Sequence, residues 1–359
     1  MLIRLIGLLV AFGLFIFLIC QKKVLKWKKA ILVIVSFVLV VFMIIQVFFP
    51  FIPAKKPTGP YGVITETAFY KYNTDIPGMA TNGNEREIPV KVWFPKDAQA
   101  KSHPLFLFSP GSFGVAESNE TLFLELASRG YVVVSMNHPY HSFSCKMSDG
   151  RNINMDGKFI QSVMNSQGSE DLPGTLSSFK EWLKVRIDDI NTVLDCISDF
   201  QNDYDYERYI DKERTVLSGH SLGGSAVLAV GRERAQEIKA LAVLEAPFAA
   251  DIVGIDKDRY IFTDQPYPLP VLHVYSDALY GKMDEITTYD MNTRLMKSDN
   301  PMYVNKHIKG VGHLGLTDMR LVTPVITYLM DGGLDTRPAA ETLSELNEYV
   351  LDFLNIYNN

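Results

Sequence analysis

From Tyr61 to the end of the chain, short apolar runs alternate with stretches that are apolar along one helical face. Extended segments are expected at Val63–Tyr70, Ile88–Phe94, Pro104–Phe108, Tyr131–Met136, Thr215–Ser218, Ala240–Leu244, Val271–Tyr275 and Met302–Ile308. Several are too short and too apolar to keep one face in water, so they read as buried strands of a mainly parallel, eight-stranded sheet. Helical spacing marks Glu117–Ser128, Thr175–Phe200, Ser221–Gly231, Met283–Met296, Asp318–Met330 and Glu341–Tyr357. In the second of these, Trp182, Leu183, Ile187, Ile190, Val193, Leu194 and Ile197 recur at the spacing of one helix face. Strand–helix alternation of this kind predicts an α/β fold with helices on both faces of the sheet. The polar, Gly-punctuated stretch Ser142–Gly174 fits neither pattern and reads as a cap over the sheet edge or as a long loop.

The first sixty residues follow another rule. Leu5–Gln21 and Ala30–Ala54 are uncharged runs of 17 and 25 residues. About 20 mainly apolar residues span the hydrocarbon core, so the second run qualifies and the first is marginal. A cleaved signal peptide is the rival reading of the first run. It lacks a small-x-small cleavage site and a second apolar run follows at once, so two retained helices are expected. Five lysines lie between them, within Lys22–Lys29, and short Lys-rich loops stay in the cytoplasm. Residues 1–54 are therefore expected to form a two-helix anchor in the cell membrane and residues 55–60 a Pro-rich stalk. Residues 61–359 would then be the folded body, outside the cytoplasm.

Charge sharpens this division. Residues 1–56 carry eight basic side chains and no acid, so the other 303 residues hold −14 of the net −6. An acidic body argues against a nucleic-acid partner, which would need clustered Lys and Arg. With 47% apolar and 21% charged residues the chain is not disordered. Its three cysteines are too few for a disulfide framework or a cysteine-built zinc site, although a Cys145–Cys196 bridge stays open.

The most informative segment is Thr215-Val216-Leu217-Ser218-Gly219-His220-Ser221-Leu222-Gly223-Gly224. An apolar strand runs into G-x-S-x-G and a small-residue helix follows, which is how a serine is forced onto a sharp turn with its hydroxyl exposed. Ser221 is the candidate nucleophile, and it needs a base to take its proton. Among seven histidines, His313 fits best, in a glycine-flanked loop after the last expected strand. His220 is expected to point away from the nucleophile, and His138 with His141 form a conceivable i,i+3 metal pair without an accompanying carboxylate motif. The acid is either Glu245 or Asp277, each at a strand end. Glu245 is favoured, because it closes the apolar strand Ala240–Leu244 and a buried charge must find a partner. Two backbone N–H groups should form the oxyanion hole: Leu222, directly after the nucleophile, and Ser112, in the loop after Pro104–Phe108, where Pro110 has no N–H to offer.

These stretches together resemble the α/β-hydrolase superfamily, and within it the platelet-activating-factor acetylhydrolase and dienelactone-hydrolase-like branch. The likeness rests on Phe106–Gly114, Ala127–Val133 leading to Asn137-His138-Pro139, Arg186–Asp195 and the elbow Gly219–Gly224, and it spans residues 61–330. It implies cleavage of carboxylic esters, short-acyl or lipid-derived, without metal or cofactor. It also implies an acid after the strand that follows the nucleophile, as at Glu245, although that family normally carries Asp there. Pro110 stands where the family usually has His, which leaves a backbone donor at Ser112 untouched. Two other readings share these residues: an acyltransferase or peptidase with the same triad, and a catalytically silent binding module.

Overall fold

The computed structural model describes residues 2–23, 25–199 and 204–358. Met1, Val24, Phe200 and Asn359, which belong to the expected anchor, lysine loop, long helix and body, lie outside the described residues.

Two apolar helices come first, α1 (Leu2–Cys20) and α2 (Lys26–Phe48), packed on each other. The Lys29 ammonium donates to the carbonyls of Ile19 and Gln21, placing a cation at the carbonyl end of α1 where the helix dipole favours one. By length and composition both helices are able to cross a membrane. The chain then lies along the body: the N–H and hydroxyl of Thr58 donate to the Glu125 carboxylate, and the N–H of Gly59 to Ser128 Oγ. Residues 58 and 59, expected in a stalk, are thus strapped to the surface.

The body alternates β1 (Val63–Asn73), β2 (Glu85–Pro95), β3 (His103–Ser109), α3 (Glu120–Ser128), β4 (Val132–Met136), β5 (Ser144–Lys146), β6 (Asn152–Asn154), α4 (Gly157–Ser166) and α5 (Leu172–Asp199). It continues with β7 (Ile210–His220), α6 (Leu222–Glu233), β8 (Ala240–Leu244), β9 (Ile252–Asp256), β10 (Arg259–Phe262), β11 (Val271–Tyr275), α7 (Asp290–Met296), β12 (Tyr303–His307), α8 (Met319–Val322), α9 (Pro324–Met330) and α10 (Ala339–Tyr357). The main sheet has eight strands in the order β1-β2-β4-β3-β7-β8-β11-β12. Only β1–β2 and β2–β4 pair antiparallel; the rest of the sheet is parallel. All eight expected strands are present in it.

Parallel pairing buries both sheet faces, and two apolar clusters result. One joins α5 and α6 through Trp182, Ile190, Val193, Val227 and Val230, and the other joins α3 and α10 through Phe123, Leu126, Leu346 and Val350. Two expected helices come out broken. Asp318–Met330 splits at Pro324, which has no N–H and keeps Thr323 out of the helical region, at φ −139°, ψ 71°. Within Met283–Met296, the turns Met283–Glu285 and Thr287–Tyr289 precede a helix that starts only at Asp290, after the β-branched run Ile286-Thr287-Thr288. The ambiguous stretch 142–174 holds the β5–β6 hairpin, helix α4 and the start of α5, and it turns Phe159 and Val163 into the core. Cys145 and Cys196 are both buried, and among the described residues no bridge joins them.

Candidate active site

A parallel sheet brings the C-terminal ends of its strands to one edge, and the candidate residues gather there. Ser221 follows β7 and precedes α6 at φ 53°, ψ −125°, a backbone conformation that a non-glycine residue adopts only under constraint. The constraint is close packing. A Cβ on Gly223 would stand 2.0 Å from the Ser109 carbonyl oxygen, so β3 and the first turn of α6 touch backbone to backbone. The Ser221 N–H donates to the Leu244 carbonyl at 2.9 Å, which ties the elbow to the end of β8.

The residue after β8 is Glu245, itself at φ 47° and with no exposed surface. Its carboxylate is fully engaged. Oε1 accepts from the Ser276 N–H at 2.8 Å and from the Ser276 hydroxyl at 2.7 Å, and Oε2 accepts from Nδ1 of His313 at 2.7 Å. With the proton on Nδ1 in that bond, Nε2 of His313 is left as a base. The imidazole is 31% exposed. Burial pulls its pKa down, but the hydrogen bond and charge of Glu245, with help from Asp331, outweigh that and leave it above the usual histidine value. Among the described residues, the Ser221 hydroxyl makes no hydrogen bond to His313; such bonds are commonly loose until substrate is bound.

Asp277 sits elsewhere. Its Oδ1 lies 2.8 Å from Nε2 of His307, and its Oδ2 accepts the Gly310 N–H at 2.7 Å. Of the two sequence candidates for the acid, only Glu245 is bonded to His313.

Two further carboxylates shape the His313 loop. Asp331 accepts the N–H groups of Leu314 and Gly315 at 3.0 and 2.9 Å, and Asp335 accepts that of Gly312 at 2.9 Å. Burial pushes the Asp331 carboxyl up to about 6, against the pull of its two N–H bonds and with the charge of Asp335 adding to the rise. Neither aspartate carries a sequence signal, since both lie beyond the motif in a stretch without periodicity.

His220 meets the candidate base. Its ring packs beside that of His313, with centroids 4.5 Å apart, and its Nε2–H donates to the His313 carbonyl at 3.1 Å. Burial, and then the neighbouring His313, lower its pKa well below the ordinary value, so it stays neutral. The sequence sets His220 beside the nucleophile, but that its ring meets His313 is decided only by the fold.

Leu222 opens α6, so its N–H is among those at the start of a helix that lack an internal partner. In the loop after β3, the Phe113 N–H is taken by the His141 carbonyl and the Gly114 N–H by that of Gly111. Those bonds leave Ser112, beside them, as a donor the turn does not consume. A Cβ on Gly111 would come within 3.2 Å of Ser221 Cβ, so this loop rests on the elbow. Behind it stands Arg186, wholly buried on α5, whose guanidinium donates to the carbonyls of Pro110 at 2.5 Å and Gly111 at 3.2 Å. The Gly111 carbonyl and the Ser112 N–H belong to one planar peptide, so holding the first aims the second.

A second buried network backs the loop. Arg86 binds both oxygens of Asp189 at 2.7 and 2.8 Å, and Asp189 accepts Nδ1–H of His138 at 2.8 Å. His138 Nε2 in turn meets Ser109 Oγ at 2.8 Å. Burial, with the nearby charge of Arg186, lowers the His138 pKa to about 4, so it is a neutral strut. Both its ring nitrogens are occupied, and His141 instead stacks on Phe159 at 3.8 Å, so the two do not act as a pair.

Solved structures share this architecture. A ferulic acid esterase from Streptomyces cinnamoneus superposes with a TM-score of 0.61 at 20% identity, over 85% of this chain and 92% of that one. A dienelactone hydrolase-like promiscuous phosphotriesterase from metagenomic libraries superposes with a TM-score of 0.50 at 11% identity, over 82% and 99%. At these identities the likeness is one of fold. No curated protein sequence matches the chain. The sequence from residue 79 to 357, almost the whole body with its elbow and His313 loop, matches the platelet-activating factor acetylhydrolase, isoform II, family, and the chain belongs to that family of α/β-hydrolases.

Proposed function

We propose that this protein is a membrane-tethered serine hydrolase that cleaves carboxylic esters. Ser221 Oγ attacks the ester carbonyl while Nε2 of His313 takes its proton, and the resulting oxyanion is held by the N–H groups of Leu222 and Ser112. The tetrahedral adduct collapses, His313 returns the proton to the departing alcohol, and the acyl group stays on Ser221. Water then attacks the acyl-enzyme with His313 again as base, releasing the acid. Glu245 keeps the imidazole in the Nδ1–H tautomer and stabilises the imidazolium formed in each half-reaction.

The observation that carries this reading is the 2.7 Å bond from His313 to the wholly buried Glu245, at the same sheet edge as a serine at φ 53°. A buried carboxylate with such a partner is costly to keep without a use. Family membership supports the reaction class, because the family is one of carboxylic ester hydrolases. A fluorophosphonate probe should label Ser221, and Ser221→Ala should lose both the label and the hydrolysis of p-nitrophenyl acetate. Undiminished hydrolysis in Ser221→Ala would end the proposal. Transfer of the acyl group to an acceptor other than water uses the same acyl-enzyme and would show as product partition when alcohols are added.

The tether rests on α1 and α2, long and apolar enough to span, and on the lysines between them. With that loop in the cytoplasm, residues 55–359 lie outside. Protease added to intact cells or spheroplasts should then remove the body, and full protection would reverse the orientation.

A further inference from the structure

The ten residues Leu321–Met330 carry no charge. They form the end of α8 and all of α9, and they leave large side chains bare: Val322 is 50% exposed, Tyr328 43%, Leu329 67% and Met330 62%. Phe143, Met164 and Ile356, three other exposed apolar side chains of the body, stand far apart in the chain. Scattered residues of that kind are ordinary on a protein surface, whereas a contiguous patch marks a contact.

Its place in the fold indicates which contact. Helix α9 packs against α2, and just past the end of α2 the Ile52 N–H donates to the Leu321 carbonyl at 3.1 Å. Phe51, beside that bond, is 85% exposed. The patch therefore continues the apolar surface of α2 at the end nearest the body. Charge points the same way. A body of −14 is repelled by anionic head groups, and a charge-free segment is the surface that approaches them at least cost.

We propose that Val322–Met330 is a second membrane contact, lying in the head-group region of the leaflet where α2 ends, with Tyr328 at the water boundary. This rests on reading α2 as a span. It sets the body on the bilayer with the α8–α9 side down. Because Asp331, the residue after α9, holds Leu314 and Gly315, the His313 loop is anchored directly to the lipid-facing element.

The test uses the full chain in phosphatidylcholine vesicles, in a Cys20→Ser background, since Cys145 and Cys196 are buried. An environment-sensitive fluorophore is attached at Leu329→Cys or, separately, at Ile356→Cys. The label at 329 should emit further to the blue and lose most of its emission to a phosphatidylcholine doxyl-labelled near the top of its acyl chain, whereas the label at 356 should not. Met330→Cys repeats the measurement should Leu329→Cys fold poorly. Retention through alkaline carbonate with a label at 329 or 330 quenched no more than at 356 would overturn this inference and leave the span intact. Release by carbonate would overturn the span and this inference with it.

Discussion

Oε2 of Glu245 and Nδ1 of His313 are 2.7 Å apart although 68 residues separate them in the chain. Parallel pairing of β7, β8 and β11 brings this about. Glu245 leaves β8 beside the elbow, its N–H donates to Val274 of β11, and Ser276 just beyond β11 fixes its carboxylate. A side chain held by the N–H and the hydroxyl of one neighbour and by the imidazole has little rotational freedom left.

Glu245→Gln keeps the shape and removes the charge. Turnover should fall by about 10⁴-fold, the loss known for the equivalent change in a serine protease triad. Asp277→Asn should cost far less, because that carboxylate serves His307 and Gly310. Measuring kcat/KM for both folded variants on one ester decides the matter. A large loss in Asp277→Asn with a near-normal Glu245→Gln would assign the acid to the wrong carboxylate.

The pH profile follows from the same bond. His313 must be neutral to act as base, and its pKa lies above the ordinary 6.5. Hence kcat/KM should rise with pH, with its midpoint above 6.5, and Glu245→Gln should move that midpoint down. Stability runs the other way. A pKa raised on folding stabilises the native state below the unfolded pKa, and that contribution is lost as pH rises through the folded value. The gap in Tm between parent and Glu245→Gln should therefore be larger at about pH 5.5 than at about pH 8.5.

Arg186→Met removes the guanidinium that fixes the Pro110 and Gly111 carbonyls. With the Ser112 peptide free to rotate, kcat should fall by about 10- to 100-fold while KM changes little, since a misplaced oxyanion donor is felt chiefly in the transition state. Affinity for a trifluoromethyl ketone, which mimics the tetrahedral adduct, should fall in parallel. Arg186→Lys, able to hold one carbonyl, should fall between. Unchanged kcat and ketone affinity in a folded Arg186→Met would show that the loop orients itself.

Gly223→Ala tests the packing beneath the elbow. Its Cβ would meet the Ser109 and Pro110 carbonyl oxygens at 2.0 and 2.3 Å, both of them backbone and unable to turn aside. A loss of about 3 kcal/mol or more is expected from such overpacking, read as a lower denaturant midpoint. Gly157→Ala, at the open start of α4 with no atom near the added carbon, should leave the midpoint almost unchanged.

Much of this was legible in the chain itself. The buried inner strands announce themselves as apolar runs, because a strand covered on both faces has few polar positions to blur the signal. The elbow is equally local: a strand, two glycines and a serine within five residues. The two front helices stand out because their composition differs from everything after residue 60. What the sequence could not decide is everything set by distance in space. The choice between Glu245 and Asp277 depends on which strand end faces the His313 loop, and both are strand-end carboxylates to a reader of the chain. The parts played by Arg186, Asp331 and His220 could not be read from the chain for the same reason: each acts on a backbone group or ring that only the folded sheet brings near. The short strands β5, β6, β9 and β10 also escaped notice, being too brief for a period to register. Periodicity records which face of an element is buried, and that is a property of one segment. Which carboxylate meets which imidazole is a property of the sheet order, and only tertiary packing sets it.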